Sequence, residues 1–505
     1  MEDDRTYDVV IAGSGLGGLL CGYYLAGRGM KVCVLEKNVQ YGGCLQVFSR
    51  DKTLFDTGVH YIGELDEGEP LHRIFSYFGL MEHLKLERLD TDAFDVISFD
   101  GDPREYPLAQ GREHFVNRLA EFFPEERVSI QRYVDVLKEV SDSFYANQLR
   151  ETSWEALNTE AMRTDAQAFI ASLTSNIKLR EVLAGNIPLY GGLGGVTPLH
   201  QHALIVNSYL QSAWRCVDGG AQMAKHLAAG IRSRGGALFR RKEVSELQVE
   251  NGVVRRVQTA DGDVFEAKYV IANFAPEKAL ALLRGGALRA SYRRRIADVP
   301  ETTSFFALYV VFKPGTFPYL TRNYYHYSRP DVWSAVNYHK AQWPDSWLLY
   351  PAAVSPAQPH AVAATVLAYM HYDEVRQWED SFNTTAQPSG RGDDYENFKH
   401  QRGLRLINAV NERFPGFKHA IQSWHTATPL TLRDYLNVPR GAAYGKLKDY
   451  RQPHRAFVSP QSKIPNLFFT GQYVHLHGIK GVTTTALLTC GMLLNEPVFA
   501  EVVGG

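Results

Sequence analysis

Tyr7-Asp8-Val9-Val10-Ile11-Ala12-Gly13-Ser14-Gly15-Leu16-Gly17-Gly18 decides how the chain is read. Its first six residues are short, apolar and β-branched in the middle, as a buried parallel strand requires. Glycines follow at the first, third and sixth places of Gly13–Gly18. A helix-like run then extends from about Leu16 to Arg28, and a second strand, Lys31–Leu35, ends in Glu36. Gly13 permits a tight turn, Gly15 lets a pyrophosphate approach the backbone, and Gly18 lets the helix pack against the strand. The start of that helix offers N–H groups and a positive dipole end to phosphates. Glu36 is placed to accept hydrogen bonds from a ribose diol and would repel a 2′-phosphate. A lone glycine triplet is often an ordinary turn. Strand, glycines, helix, strand and acid in this order point instead to a dinucleotide, FAD or NAD but not NADP. Gly42-Gly43-Cys44, soon after the acid, favours FAD, because a glycine pair there suits a backbone passing close to the flavin. Ser14, Leu16, Gly17 and Lys37 complete the cofactor-binding set at this end.

At 505 residues the chain exceeds one ordinary core, so two domains or an interleaved pair are expected. A net charge of −1 with 22% charged residues carries no footprint for nucleic acid. The 27 tyrosines and 26 phenylalanines suffice to line a long apolar cavity, and equally to fill a core. Five cysteines without a C-x-x-C pair suggest neither a disulfide framework nor a metal site, and a reducing compartment is expected. No signal peptide is read at Met1–Asp4, and no apolar run reaches the eighteen residues of a spanning helix. A cytoplasmic protein is expected, with peripheral contact to the inner face of a membrane left open.

Gly58-Val59-His60-Tyr61-Ile62-Gly63 adds a more specific signal. Together with Gly13–Gly18, Glu36 and Gly42–Cys44, it resembles the phytoene desaturase and carotenoid isomerase superfamily of FAD-dependent oxidoreductases. The branch it is most similar to is that of the all-trans-retinol 13,14-reductases (retinol saturases). Pro439–Gly445 and Ile464–Gln472 carry the same likeness, whereas Cys44 stands where many relatives have Arg. The resemblance implies an α/β fold in which a Rossmann-type FAD-binding domain, glutathione-reductase-like and of the amine-oxidase type, is interleaved with an α+β substrate domain. Residues 1–95, 215–285 and 455–505 would form the first, and 96–214 and 286–454 the second, with a helical cover. It further implies that Val244 meets the adenine, that Gly471 and Gln472 end a strand beside the flavin, and that the helix of Gly481, Val482 and Thr483 points its N-terminus at the flavin ring.

Outside these motifs, Pro70 to about Leu210 reads as mostly helical, and Tyr190–Gly195 as a turn over a cavity. Strand-like runs occur at Lys242–Val249, Val253–Gln258, Val264–Glu266, Tyr269–Ala272, Thr303–Phe312 and Ala361–Met370. Thr483-Thr484-Thr485 are poor helix formers whose hydroxyls could satisfy the N–H groups of a first turn. The expected chemistry is hydride transfer at a C=C bond of a conjugated polyene or isoprenoid, as saturation or isomerisation, with an external electron donor or acceptor. His60, Tyr61, Tyr444, His475 and His477 are candidate proton carriers, and Lys480 a candidate to stabilise reduced flavin or hold a substrate oxygen. Carotenoid desaturation by oxidised flavin is the alternative within enzymes. Outside enzymes, it is prenyl-lipid binding of the Rab GDP-dissociation inhibitor type.

Overall fold

The computed structural model describes residues 5–150, 159–285, 288–354 and 359–504, with only the backbone of 146–150. Strand β1 (Thr6–Ala12) lies between β2 (Val32–Glu36) and Val264–Ala272, parallel to both, and Ala237–Arg240 pairs parallel on the far side of β2. Leu467–Phe469 joins the end of Val264–Ala272, also in parallel. Such a sheet must be covered on both faces, and the period-two alternation of β1 divides its side chains between two cores. Val9 and Ile11 pack with helix α1 (Leu16–Gly27), helix Ala221–Ser233 and the closing helix Gly478–Leu494. Val10 and Ala12 pack against Leu467, Phe469 and Val254 on the opposite face.

Val264–Ala272 is one continuous strand, not the two runs expected. Its first part pairs antiparallel with Val253–Thr259 and its last part parallel with Leu467–Phe469, so different neighbours hold its two halves extended. Val244–Glu250 and Val253–Thr259 form a hairpin across Asn251-Gly252, both with positive φ (51° and 81°), the combination a two-residue primed turn needs.

A second, seven-stranded sheet has Ser304–Phe312 buried along its whole length between Ala363–Met370 and Ile421–Ala427. The described residues of Pro70–Leu210 are mostly helical, as expected, but three short strands interrupt them. Asp95–Phe99 and Tyr106–Leu108 belong to the seven-stranded sheet, and Leu86–Arg88 to a small three-stranded one. Asp95–Phe99 pairs in parallel with Asn323–Tyr327, a partner too distant in sequence for a local pattern to announce. The helices expected further on are present at Arg112–Ala120, Arg127–Arg150 and Leu199–Gln211, and their apolar stripes (Phe115, Leu119, Ile130, Tyr133, Leu137) are core packing. Tyr324, Tyr325, Tyr327, Trp333, Trp343 and Trp347 are likewise buried in that core. Among the described residues, no helix is long and apolar enough to cross a membrane.

The closing helix begins at Gly478, ahead of the threonines. Thr484 and Thr485 therefore donate back to the carbonyls of Lys480 and Gly481, at 3.0 and 2.8 Å, instead of capping free N–H groups. Lys480 is locked in place as well. Its Nζ donates to Glu64 Oε1 at 2.6 Å, and the fully buried Glu64 also accepts from Tyr145 Oη at 2.7 Å and Gln211 Nε2 at 3.2 Å. Removing one member of a buried pair strands the other's charge, at a cost of about 3–5 kcal/mol. Lys480→Met should therefore lower the thermal midpoint sharply, and Glu64→Gln/Lys480→Met should recover most of the loss. Equal melting of Lys480→Met and wild type would show that the pair carries no such role.

Candidate active site

The glycine turn is built by close contacts that only glycine permits. Gly13 has φ of +99°, and a Cβ on Gly18 would lie 2.2 Å from the Gly13 carbonyl oxygen. The side chain of Asn273, just beyond Val264–Ala272, fills the remaining space: its Nδ2 donates to Gly13 O at 3.3 Å and would lie 2.9 Å from a Cβ on Gly15. The second glycine pair closes onto this turn. Gly42 N–H donates to Ser14 O at 3.0 Å, and a Cβ on Gly43 would stand 3.1 Å from Gly15 Cα. Helix α1 has Gly15 as its N-cap, with no side-chain cap and no acid in its first turn, so its N–H groups and dipole end are left for an anion. Glu36 is held at the end of β2: one carboxylate oxygen accepts from Ser14 N at 3.0 Å and from the Ser14 hydroxyl, the other from Asn38 N at 2.8 Å.

These elements open into one cavity of about 550 Å³, within the range of cofactor and ligand sites. On one side lie Glu36, Lys37, Val244 and Lys278; on the other lie His60, Tyr444 and an apolar wall from the second sheet. The wall follows the strand period: Phe305, Ala307 and Tyr309 line the cavity, with Leu367 directly opposite Ala307 on the neighbouring strand. Gly478, Ile479 and Val482 bring the start of the closing helix to the same space. The donor set fits a dinucleotide: an uncapped helix start for a diphosphate, an oriented carboxylate for a ribose, and a turn of glycines packed too closely to admit a Cβ.

Of the residues expected at the cofactor, Gly13, Ser14, Gly15, Leu16, Gly17, Glu36, Lys37, Gly42, Gly43, Cys44, Val244, Gly471, Gln472 and Val482 line this cavity. Gly18 sits behind it, packing helix on strand, and Gly481 and Thr483 also lie outside the lining. Tyr61 points away: its hydroxyl donates to the buried Asp95 at 2.8 Å and lies 2.9 Å from the Tyr325 hydroxyl. Lys480 faces Glu64 beside a separate small pocket, together with His477, and His475 packs between Phe144 and Phe457. His60 and Tyr444 are thus the two candidate proton carriers at the cavity. The His60 ring stands 4.4 Å from that of Tyr350, and its buried Nδ1 has no hydrogen-bond partner among the described residues. Burial lowers its pKa to about 4. Tyr444 Oη donates to Pro188 O at 2.5 Å, and burial raises its pKa. Cys44, raised to about 11 by burial, is a thiol and not a thiolate.

Among the cavity residues that the sequence reading did not assign to the site, three stand out. Asn273 supports the whole glycine turn, Tyr309 places the one hydroxyl on the Phe305–Ala307–Tyr309 face, and Lys278 adds a second lysine beside Lys37. Burial, reinforced by repulsion from Lys37, lowers the Lys278 pKa to about 8. Asn273 directly follows an apolar strand, the only local sign of its place; Tyr309 and Lys278 give none.

Comparison with known proteins agrees with this architecture. The chain is 27% identical to the all-trans-retinol 13,14-reductase of Rattus norvegicus over 540 residues, covering 98% of this chain and 86% of that protein. It is 22% identical to the chloroplastic prolycopene isomerase 2 of an Oncidium hybrid cultivar, over 88% of this chain and 76% of that one. A solved structure of a putrescine oxidase variant superposes with a TM-score of 0.67 at 12% identity, covering 97% and 98% of the two chains, which speaks to the fold alone. The sequence profile of flavin containing amine oxidoreductases matches residues 16–494, nearly the whole of the cavity-forming chain, and the protein belongs to that family.

Proposed function

We propose that the protein holds FAD along the glycine turn and transfers hydride at a C=C bond of a conjugated polyene or isoprenoid, in the direction of saturation or isomerisation. The observation that carries this reading is the continuity of one cavity from Glu36 to the apolar wall of Phe305, Ala307 and Leu367. Flavin supplies a hydride donor or acceptor, and a polyene spreads the charge that develops over several carbons. Residues 1–95, 215–285 and 455–505 would hold the cofactor, and 96–214 and 286–454 the substrate. Gly13–Gly17 and the start of α1 would hold the diphosphate, Glu36 the ribose, Val244 the adenine, and Gly471, Gln472 and Val482 the ring.

The remaining work falls to the second sheet. Phe305, Ala307 and Leu367 would clamp a flat apolar chain and exclude water, fixing one double bond for transfer. Tyr309 presents a hydroxyl on the same face, and His60, neutral at pH 7, offers a hydrogen bond but no ready cation. The names of the relatives, a retinol reductase and a prolycopene isomerase, support this substrate class. The apolar substrate would arrive from a membrane or a carrier, with peripheral membrane contact part of the same proposal, and electrons would come from or pass to an external partner. The intact glycine turn and Glu36 disfavour prenyl-lipid binding without flavin.

Purified protein supplied with FAD should show the flavin absorption bands. Glu36→Ala should weaken FAD binding by about 10- to 100-fold, the equivalent of one or two hydrogen bonds to a charged group. Protein that stays colourless with added FAD would end the proposal.

Anaerobic incubation of photoreduced protein with a panel of polyenes, following flavin reoxidation and product mass, tests the chemistry. Tyr309→Phe should slow the single turnover by about 10²-fold, the lower end for loss of a proton-transferring group, with flavin content unchanged. With its pKa near 4, His60 gains cation about tenfold for each pH unit lowered. A step driven by protonated His60 would accelerate in that proportion from pH 8 to 6; the expected profile lacks this climb.

A further inference from the structure

A second groove, of about 540 Å³, lies on the outer edge of the cofactor sheet, where Ala237–Arg240 is the edge strand. Tyr41, Arg232, Phe239, Arg240 and Arg241 line it. The guanidinium carbons of Arg232 and Arg240 stand 5.5 and 5.7 Å from the centre of the Tyr41 ring, which is itself fixed by a 3.0 Å hydrogen bond from its hydroxyl to Leu238 O. Arg240 Nη1 donates to Val39 O at 3.2 Å, holding its fork beside the ring. Arg241 has φ of 59°, a left-handed conformation uncommon for a residue with a long side chain. Successive residues of an extended chain point to opposite faces, yet Arg240 and Arg241 both line this groove. Among the described residues, none of the three guanidinium groups forms an ion pair with a carboxylate, in a chain whose charges almost cancel.

We propose that this groove is an anion site for a phosphate ester or diphosphate, separate from the cofactor cavity. Three like charges line one groove, two of them over one ring, and repel each other unless an anion lies between them; guanidinium forks match phosphate oxygens in pairs. A phosphate dianion meets three cations with more charge and more acceptor oxygens than a single carboxylate offers. The guanidinium groups of Arg232 and Arg240 lie against the Tyr41 ring, so the ligand is met by N–H donors and not by stacking. The loop 37–42 separates the two sites: Lys37, Asn38 and Gly42 line the cofactor cavity, while Val39 and Tyr41 line the groove. The phosphate could belong to a soluble ester or to a phospholipid headgroup.

The test uses protein saturated with FAD, so that the cofactor site is filled. Inorganic pyrophosphate is titrated calorimetrically at low and high salt, and sedimentation is followed with phosphatidylcholine vesicles with and without phosphatidic acid. Saturable binding weakened by salt is expected for at least one probe; pyrophosphate alone would assign a soluble ester, and acidic vesicles alone a headgroup. Arg232→Gln/Arg240→Gln should lose about tenfold or more in affinity with flavin content and melting unchanged. Arg241→Asn, which keeps a residue tolerant of the left-handed backbone, should show a loss in the same direction. No saturable binding by the wild type to either probe, or equal binding by the double variant, overturns the proposal.

Discussion

The contact between the start of α1 and the end of β1 governs the rest of the molecule. With no side chain on Gly18, the helix comes so close to the Gly13 carbonyl that even a methyl group would stand 2.2 Å from its oxygen. That approach aims the helix N-terminus into the cavity and not past it. Asn273 then makes the turn a junction of three segments, since its amide meets the positions of Gly13, Gly15, Gly17 and Gly471. A strand from the middle of the chain and a turn near its end are thereby brought to the first loop. Burial on both faces of the parallel sheet holds this geometry, so the anion-holding end is pre-formed and not assembled around a ligand.

The second sheet contributes by its register. Ala307 opposite Leu367, and Phe305 and Tyr309 on the same face, give a wall with a gap at its small residue and rings on each side. A one-residue slip would turn Phe306, Leu308 and Val310 inward instead and remove the hydroxyl of Tyr309. Ser304–Phe312 is buried from end to end between two partners, so its register is set by both and the wall is rigid.

The glycine turn, Glu36 and the glycine pair were legible because their meaning is local: turn geometry, helix start and acid lie within forty residues. The superfamily was legible for the same reason, through short segments at both ends. Asp95–Phe99 was not, because its partner is Asn323–Tyr327, and a buried five-residue run reads as strand or helix until that partner is known. Tyr61 and Lys480 were singled out from motif position, but their directions are decided by Asp95 and Glu64, acids elsewhere in the sequence. Tyr309 reads as core, since nothing in Ser304–Phe312 tells which face of the strand will meet a cavity.

Around the apolar wall, burial shifts the titratable groups toward their neutral forms. Burial lowers His60 to about 4 and raises Tyr309 and Tyr444. Asp56, close behind, is raised to about 7 by burial, against one hydrogen bond from Gly220 N at 2.8 Å. Lys480, the cation expected at the closing helix, is neutralised by Glu64 outside the cavity. A fixed charge beside a neutral polyene would bias where charge collects along the conjugated chain, and in a dry site that bias is strong. Below about pH 7, where Asp56 is mostly protonated, the wall carries no such charge and the helix start is the main fixed electrostatic feature. On the proposed function, which carbon reacts would be decided by how far the apolar chain slides along Phe305, Ala307 and Leu367, and specificity would be a matter of length and shape before one of charge.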